Sequence, residues 1–257
     1  MRIIRYQQGG DAPRYGWVLD GRVGGIEGNL FGEYSREEVN TPLAEVELLP
    51  PVQPSKIVCV GRNYAAHAEE HGADVPDVPL LFLKPPSAII GDGDTILLPP
   101  QSERVEHEAE LGVVIGKRGR WIASEEAKDH ILGYTIANDV TARDLQRKDE
   151  QWTRGKGFDT FCPVGPWIDT RFDPSNALIT CRVNDELRQM GPTQDMVFTV
   201  RDLIAYASSV MTLEPGDLLL TGTPSGVGLL QPGDEVVVEI DGLGELRNKV
   251  EKDEDAS

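Results

Sequence analysis

The chain predicts a mixed, β-rich α+β protein, a roll or sandwich of short strands with few helices. Three observations carry this. Short runs rich in Val, Ile, Leu and Thr recur between Gly, Pro and Asp turns along most of the 257 residues. Helical spacing is confined to three segments, which excludes a regular alternation of strand and helix. An Asp-Gly hairpin signal stands near the start.

The first fifty residues read as a small β unit, assigned to 1–52. Arg2 to Tyr6 is a strand, and Gly16 to Leu19 and Arg22 to Ile26 flank Asp20-Gly21, a dipeptide suited to a tight hairpin turn. Leu49-Pro50-Pro51-Val52-Gln53-Pro54 follows. Its prolines make a stiff extended connector, which sets the boundary before a larger unit, 55–250. There, strands are expected at Lys56 to Val60, Leu80 to Leu83, Thr95 to Leu98, Glu108 to Ile115, Tyr134 to Asp139, Leu178 to Val183, Asp217 to Thr221 and Glu235 to Ile240. Helices are expected at Ser124 to His130, Thr141 to Asp149 and Val200 to Val210, the last with Leu203, Ile204, Ala207 and Val210 at helical spacing. Residues 251–257 form a polar tail expected to fray.

A net charge of −18 repels nucleic acid and anionic membranes, so neither is an expected partner. No run approaches the ~18 apolar residues of a membrane span, and the opening Met1-Arg2-Ile3-Ile4-Arg5-Tyr6 lacks the apolar core of a signal peptide; the expected location is cytoplasmic. Cys59, Cys162 and Cys181 are odd in number and widely spaced, which reads as reduced core thiols. Arg outnumbers Lys by 17 to 8, and with the excess of acid this resembles a salt-adapted surface. A GC-rich genome would also favour Arg.

The strongest site signal is Glu106-His107-Glu108-Ala109-Glu110, running into Leu111-Gly112-Val113-Val114-Ile115. Strand periodicity puts the three glutamates on one face, with Cα atoms two apart separated by about 6.5 Å, a span one hard cation can bridge. A solvated acidic face is the competing reading. Asp139 ends the next β-rich run, where it could reach a ligand or cap a helix over 141–150. Together Glu108, Glu110 and Asp139 would make an all-oxygen site with open positions, suited to Mg²⁺ or Mn²⁺ rather than zinc. Downstream, Arg143, Arg147, Lys148, Arg154 and Lys156 could form a positive patch that draws in an anionic substrate, or simply helix-surface charge beside Asp149 and Glu150. Thr221 to Gly228 matches no phosphate loop; a backbone N–H nest or a tight turn is expected.

His67-Ala68-Glu69-Glu70-His71 fits the H-x-x-E-H zinc-peptidase pattern, but Gly72 and Pro76 stop its helix early. The other functional reading pairs His67 with Glu70 as a base that activates water; an idle surface pair is the bland one.

As a set, several strings resemble the fumarylacetoacetate hydrolase family over about residues 55–250. They are Val60-Gly61-Arg62-Asn63-Tyr64 with His67, Phe82-Leu83-Lys84-Pro85, Glu108-Ala109-Glu110-Leu111, Asn138-Asp139-Val140-Thr141-Ala142-Arg143-Asp144, Gly155-Lys156 with Phe158-Asp159, and Thr221-Gly222-Thr223-Pro224 with Gly226-Val227. The resemblance implies a β-sandwich roll with a small N-terminal β domain, and a homodimer. It implies Glu108, Glu110 and Asp139 as ligands of Mg²⁺ or Mn²⁺, and His67 with Glu70 as the base pair on a lid. Lys156 and Gln146 would face a developing oxyanion, and Arg62, Arg143 and Thr223 would be substrate and metal-shell contacts. Glu106 matches no role and is expected to be exposed. Gly157 and the turn Gly191-Pro192-Thr193-Gln194-Asp195 depart from the family pattern and bear on substrate choice. The implied chemistry is stabilisation of an enolate of a small anionic 2-oxo acid. Isomerisation of 2-hydroxyhepta-2,4-diene-1,7-dioate, the decarboxylation linked to it, hydrolysis of an acylpyruvate, or oxaloacetate decarboxylation would follow. The rivals are the zinc peptidase built on His67 and His71 and a non-catalytic metal-binding protein.

Overall fold

The structure, a computed structural model, describes residues 1–70 and 72–254. Its large sheet runs in the order Tyr34–Arg36, Arg22–Gly28, Arg14–Leu19, Arg2–Gln7, Cys162–Asp169, Ile131–Asn138, Ala109–Ile115, Leu218–Leu220, Ile57–Gly61, Leu80–Lys84. Neighbours along this path are antiparallel except Leu218–Leu220 against Ile57–Gly61, which is parallel. A second sheet has the order Thr95–Leu98, Gly244–Lys252, Glu235–Ile240, Leu178–Val183, Glu186–Pro192.

The main core lies between the sheets. Val113 and Ile136 of the first meet Ile179, Val236 and Val238 of the second, together with Leu203, Ile204 and Ala207 of the helix Val200–Val210. The opposite face of the large sheet buries Val114, Ala137, Val164 and Leu218 with Ile3 and Ile26. Ala109–Ile115 is therefore covered on both faces, which is why its sequence is an almost unbroken apolar run rather than an alternating one. Each fully buried Val, Leu or Ile side chain contributes about 1.5–3 kcal/mol.

The expected strands are present, with ends moved by at most three residues; the Glu108 to Ile115 strand starts at Ala109 and the Tyr134 to Asp139 strand spans Ile131–Asn138. The first β unit is not set apart from the larger one in the sheet. Its strand Arg2–Gln7 pairs with Cys162–Asp169 through Arg2↔Asp169 and Ile3↔Ile168, so the two share one continuous ladder.

Val200–Val210 is the helix its spacing predicts, opened by a capping box in which Thr199 and Asp202 bond each other's backbone N–H. Ser124–His130 is a 3₁₀ turn rather than an α-helix; Ala127 is its only buried residue, so little packing holds a wider coil. The helix expected from Thr141 begins at Arg143, because Thr141–Ala142 is drawn into a ladder with Val105–His107. Asp139 does not cap it: Ala142 is the cap residue, without a side-chain bond. The polar tail begins later than expected, since Glu251 and Lys252 pair with Leu97 and Leu98; residues 255–257 lie outside the described residues. Cys59, Cys162 and Cys181 are buried free thiols, and burial pushes Cys181 up to about 12. Among the described residues, no helix is long and apolar enough to cross a membrane.

Candidate active site

The carboxylates meet because the chain changes sheets at Glu108. Val105–His107 pairs with Thr141–Ala142 and Gly228–Leu229, and one residue later Ala109–Ile115 enters the large sheet beside Ile131–Asn138. Glu108 is tied at both backbone ends: its N–H donates to Asn138 Oδ1 at 2.9 Å, and its carbonyl accepts the Asp139 N–H at 2.8 Å. These bonds seat Asp139 against Glu108. One ligand oxygen from each of Glu108, Glu110 and Asp139 lies within 4.8 Å of the others, and all three residues are buried.

Three buried cations surround the trio. Lys156 Nζ donates to Glu108 Oε2 at 2.8 Å and Asp139 Oδ2 at 2.6 Å. Lys84 Nζ donates to Asp139 Oδ1 at 2.6 Å and to the Val140 carbonyl at 3.1 Å. Arg143 bonds Glu108 Oε1 through Nη2, Glu106 Oε2 through Nε at 2.7 Å, and Gln146 Oε1 through Nη1 at 2.7 Å. Glu110 is not among the carboxylates these cations pair; its Oε2 accepts the Gly222 N–H at 2.7 Å.

The charge balance separates the two glutamates. Burial works against ionising Glu108, but Lys156 and Arg143 outweigh it and hold that carboxyl well below the usual range. Burial also dominates at Glu110, and the like charges of Asp139 and Glu108 reinforce it, pushing this carboxyl well above its ordinary value. A dication among these oxygens would remove that repulsion. An all-oxygen, fully buried donor set with one under-neutralised carboxyl fits magnesium or manganese.

Glu106 is a correction. It is 1% exposed, not solvated, because the crossover at Glu108 turns it toward Arg143, and Arg104 Nε closes on its other oxygen at 2.5 Å. The basic cluster divides: Arg143 and Lys156 are internal counter-charges, whereas Arg154 pairs with Asp149 at the surface through two bonds of 2.6 and 2.7 Å.

His67 sits in the short helix Ala65–Glu70, buried, with Nδ1 3.5 Å from Glu70 Oε2. Burial lowers its pKa, with the charge of Arg143 helping and that of Glu108 opposing, which favours the neutral ring, the form that can accept a proton. The glycine-rich segment combines both expected uses. Gly222 and Gly226 adopt φ of +94° and +96°, and each turns its N–H onto a site carboxylate: Gly222 onto Glu110, Gly226 onto Glu70 at 3.1 Å. His71 lies outside the described residues; among the described residues, the group that could hold a cation is entirely carboxylate.

A cavity of about 310 Å³ opens above the trio. Of the residues singled out in the sequence, Arg62, His67, Glu108, Glu110, Arg143, Gln146, Lys156 and Thr223 line it; Asp139 lies beneath and Glu70 behind His67. Arg147 of the expected positive patch lines it too. Lys84, Phe82, Trp152 and Gln189 had no role assigned from the sequence. Phe82 and Trp152 form an edge-to-face aromatic wall at 5.2 Å, and Lys156 Nζ lies 5.0 Å from the Phe82 ring centre. Lys84 had a signal: a lysine in the apolar strand Leu80–Lys84 is expensive to bury without a carboxylate partner.

Residues 56–251 match the fumarylacetoacetate (FAA) hydrolase C-terminal family, and residues 1–51 match the Rv2993c-like N-terminal family. The chain belongs to the fumarylacetoacetate hydrolase family. Among the relatives of this fumarylacetoacetate hydrolase family member is a mitochondrial oxaloacetate tautomerase of Bos taurus, 50% identical over 222 residues, 81% of this chain and 71% of that one. A solved 2-hydroxyhepta-2,4-diene-1,7-dioate isomerase from Mycobacterium marinum is 42% identical, with a TM-score of 0.90 over 99% of both chains. A maleylpyruvate hydrolase from Sphingobium sp. SYK-6, solved with manganese(II) and pyruvate, is 34% identical, with a TM-score of 0.80 over 98% of this chain and 99% of that one.

Proposed function

We propose that this protein is a Mg²⁺- or Mn²⁺-dependent isomerase or tautomerase of small anionic 2-oxo acids and their 2-hydroxydienoate forms. The observation that carries the reading is a buried His67 beside Glu70 on the same cavity as the convergent trio Glu108, Glu110 and Asp139. A divalent cation held by those carboxylates would supply the Lewis acid that lowers the energy of an enolate. His67 takes the proton of the 2-hydroxyl of an enol, or of the carbon beside the carbonyl of a 2-oxo acid. In the latter case the C–H pair forms the new C=C bond while the C=O pair moves to oxygen, and return of the proton to carbon, with the C=O bond re-formed, completes ketonisation or isomerisation. Glu70 stabilises the imidazolium formed in between. Gln146, whose carbonyl oxygen is occupied by Arg143, offers its amide N–H to the developing negative charge, as does Lys156. Arg62 and Arg147 add positive charge to the cavity wall for a second carboxylate, and Phe82 and Trp152 keep the reacting carbons dry.

The tautomerase and dienoate isomerase relatives, at 50% and 42% identity, support proton transfer as the main reaction. C–C hydrolysis is the second reading, favoured by the same His67–Glu70 pair, which could activate water, and by the maleylpyruvate hydrolase relative. The active species is taken to be a homodimer. Assaying 2-hydroxyhepta-2,4-diene-1,7-dioate, the oxaloacetate enol, oxaloacetate and acylpyruvates with Mg²⁺ and Mn²⁺ tests the proposal. Metal-dependent isomerisation or ketonisation is expected; no turnover of any of them with either metal would overturn it.

A further inference from the structure

Ala109, the residue between the two glutamates of the trio, is held on one side by its pairing with Asn138. Its other edge has no strand among the described residues, since Leu218–Leu220 pairs only with Gly112 to Val114. Gln189, reaching in from Glu186–Pro192 of the second sheet, takes that place. It is fully buried. Its Oε1 accepts the Ala109 N–H at 3.0 Å and lies 2.9 Å from His107 Nδ1. Its Nε2 donates to Thr223 Oγ1 and to the Pro224 carbonyl, both at 2.8 Å. Thr223 Oγ1 in turn donates to the Ala109 carbonyl at 2.8 Å. The result is a closed ring: Ala109 N–H to the Gln189 amide, the amide to the Thr223 hydroxyl, the hydroxyl back to the Ala109 C=O.

The partners leave the amide one orientation. Turned over, it would set NH₂ against the Ala109 N–H and C=O against the Pro224 carbonyl. His107 must then donate through Nδ1 to the same oxygen. Every hydrogen-bonding position of a buried glutamine is thus used, and both polar groups of the Ala109 peptide are clamped by side chains standing in for a missing strand.

We propose that Gln189 is a positioning residue for the metal-binding carboxylates. By fixing the Ala109 peptide it sets the separation and aim of Glu108 and Glu110, and through Thr223 it ties them to the turn whose Gly222 N–H orients Glu110. Asn138 performs the matching task from the other side, through the Glu108 N–H. The inference rests on the trio binding a divalent cation.

Gln189→Met keeps length and approximate volume but cannot form the ring. Calorimetric titration of Mn²⁺ into the folded variant, well below its melting transition, should show affinity reduced roughly 10- to 100-fold, the range for residues that orient metal ligands. An affinity within about twofold of wild type, even with a lowered melting temperature, marks a purely structural role and overturns the proposal. Where Gln189→Met does not fold, Thr223→Val opens the same ring by one hydroxyl and carries the test with the same two outcomes. Wild-type protein that fails to bind Mn²⁺ overturns the metal reading and this inference with it; wild-type binding that the substitutions leave unchanged overturns this inference alone.

Discussion

Replacing Lys84 by Met removes one of three buried cations from a cluster of four buried carboxylates, Glu106, Glu108, Glu110 and Asp139. The Lys84 and Asp139 side chains are 0% and 1% exposed, so water cannot take over the lost charge. Breaking a buried pair from one side costs about 3–5 kcal/mol; Asp139 keeps Lys156, which places the expected loss near the lower end, about 3 kcal/mol. For a chain of this size that is roughly 6–12 °C in melting temperature. A divalent cation acts in the opposite sense. It neutralises the carboxylate that Lys84 served, so Mn²⁺ should bind the variant at least as tightly as wild type. At 100 times the dissociation constant the metal adds about 2.7 kcal/mol, and saturating Mn²⁺ should narrow the gap between the two melting curves. Thermal melts of both proteins, with chelator and with Mn²⁺, measure this. A metal-free variant melting within about 2 °C of wild type, or a gap that widens with Mn²⁺, refutes the charge balance drawn for the cluster.

Glu110→Gln keeps an oxygen for the Gly222 N–H and removes an under-neutralised carboxyl, so metal-free stability should hold or rise while Mn²⁺ affinity falls at least about 100-fold by titration. His67→Asn or Glu70→Gln should lower kcat by roughly 10²- to 10⁴-fold in the isomerase assay while leaving Mn²⁺ affinity unchanged. In metal-free protein, the raised pKa of Glu110 means the folded state retains a proton that the unfolded state loses near 4.5; this stability is full below that value and is lost as pH rises through the folded value. Denaturant titrations should show the decline, and Mn²⁺ should abolish it. If the acidic surface is a salt adaptation, stability and activity should rise from low to molar salt; flat or falling profiles dispose of that idea.

What could be read from the sequence was whatever local chemistry encodes. The strands announced themselves through apolar runs, and the carboxylate trio through acids placed at strand ends. Three of the longer strands had no such signal. Cys162–Asp169 contains Pro163, Gly165 and Pro166, which read as a turn, yet it lies inside the large sheet, and its ladder with Ile131–Asn138 shifts register between Tyr134 and Ile136. Gly244–Lys252 buries only alternate residues, one of them Asn248. Glu186–Pro192 is mostly exposed. Gln189, and the identity of the acid that Lys84 requires, were illegible for a different reason. Lys84 gains its meaning from Asp139, 55 positions on at a strand end of the same sheet, and Gln189 from Ala109, 80 positions back in the other sheet; spacing cannot supply either distance.

The ladder between Arg2–Gln7 and Cys162–Asp169 has a bearing on biosynthesis. A ribosome adding ~5–20 residues per second delivers the leading segment roughly 10–30 s before the stretch that completes its hydrogen bonding. During that interval Glu47–Leu49 can cover one end of this border, but the stretch at Arg2 and Ile3 stays uncapped, open to a neighbouring polypeptide, until the middle of the chain emerges and seals it.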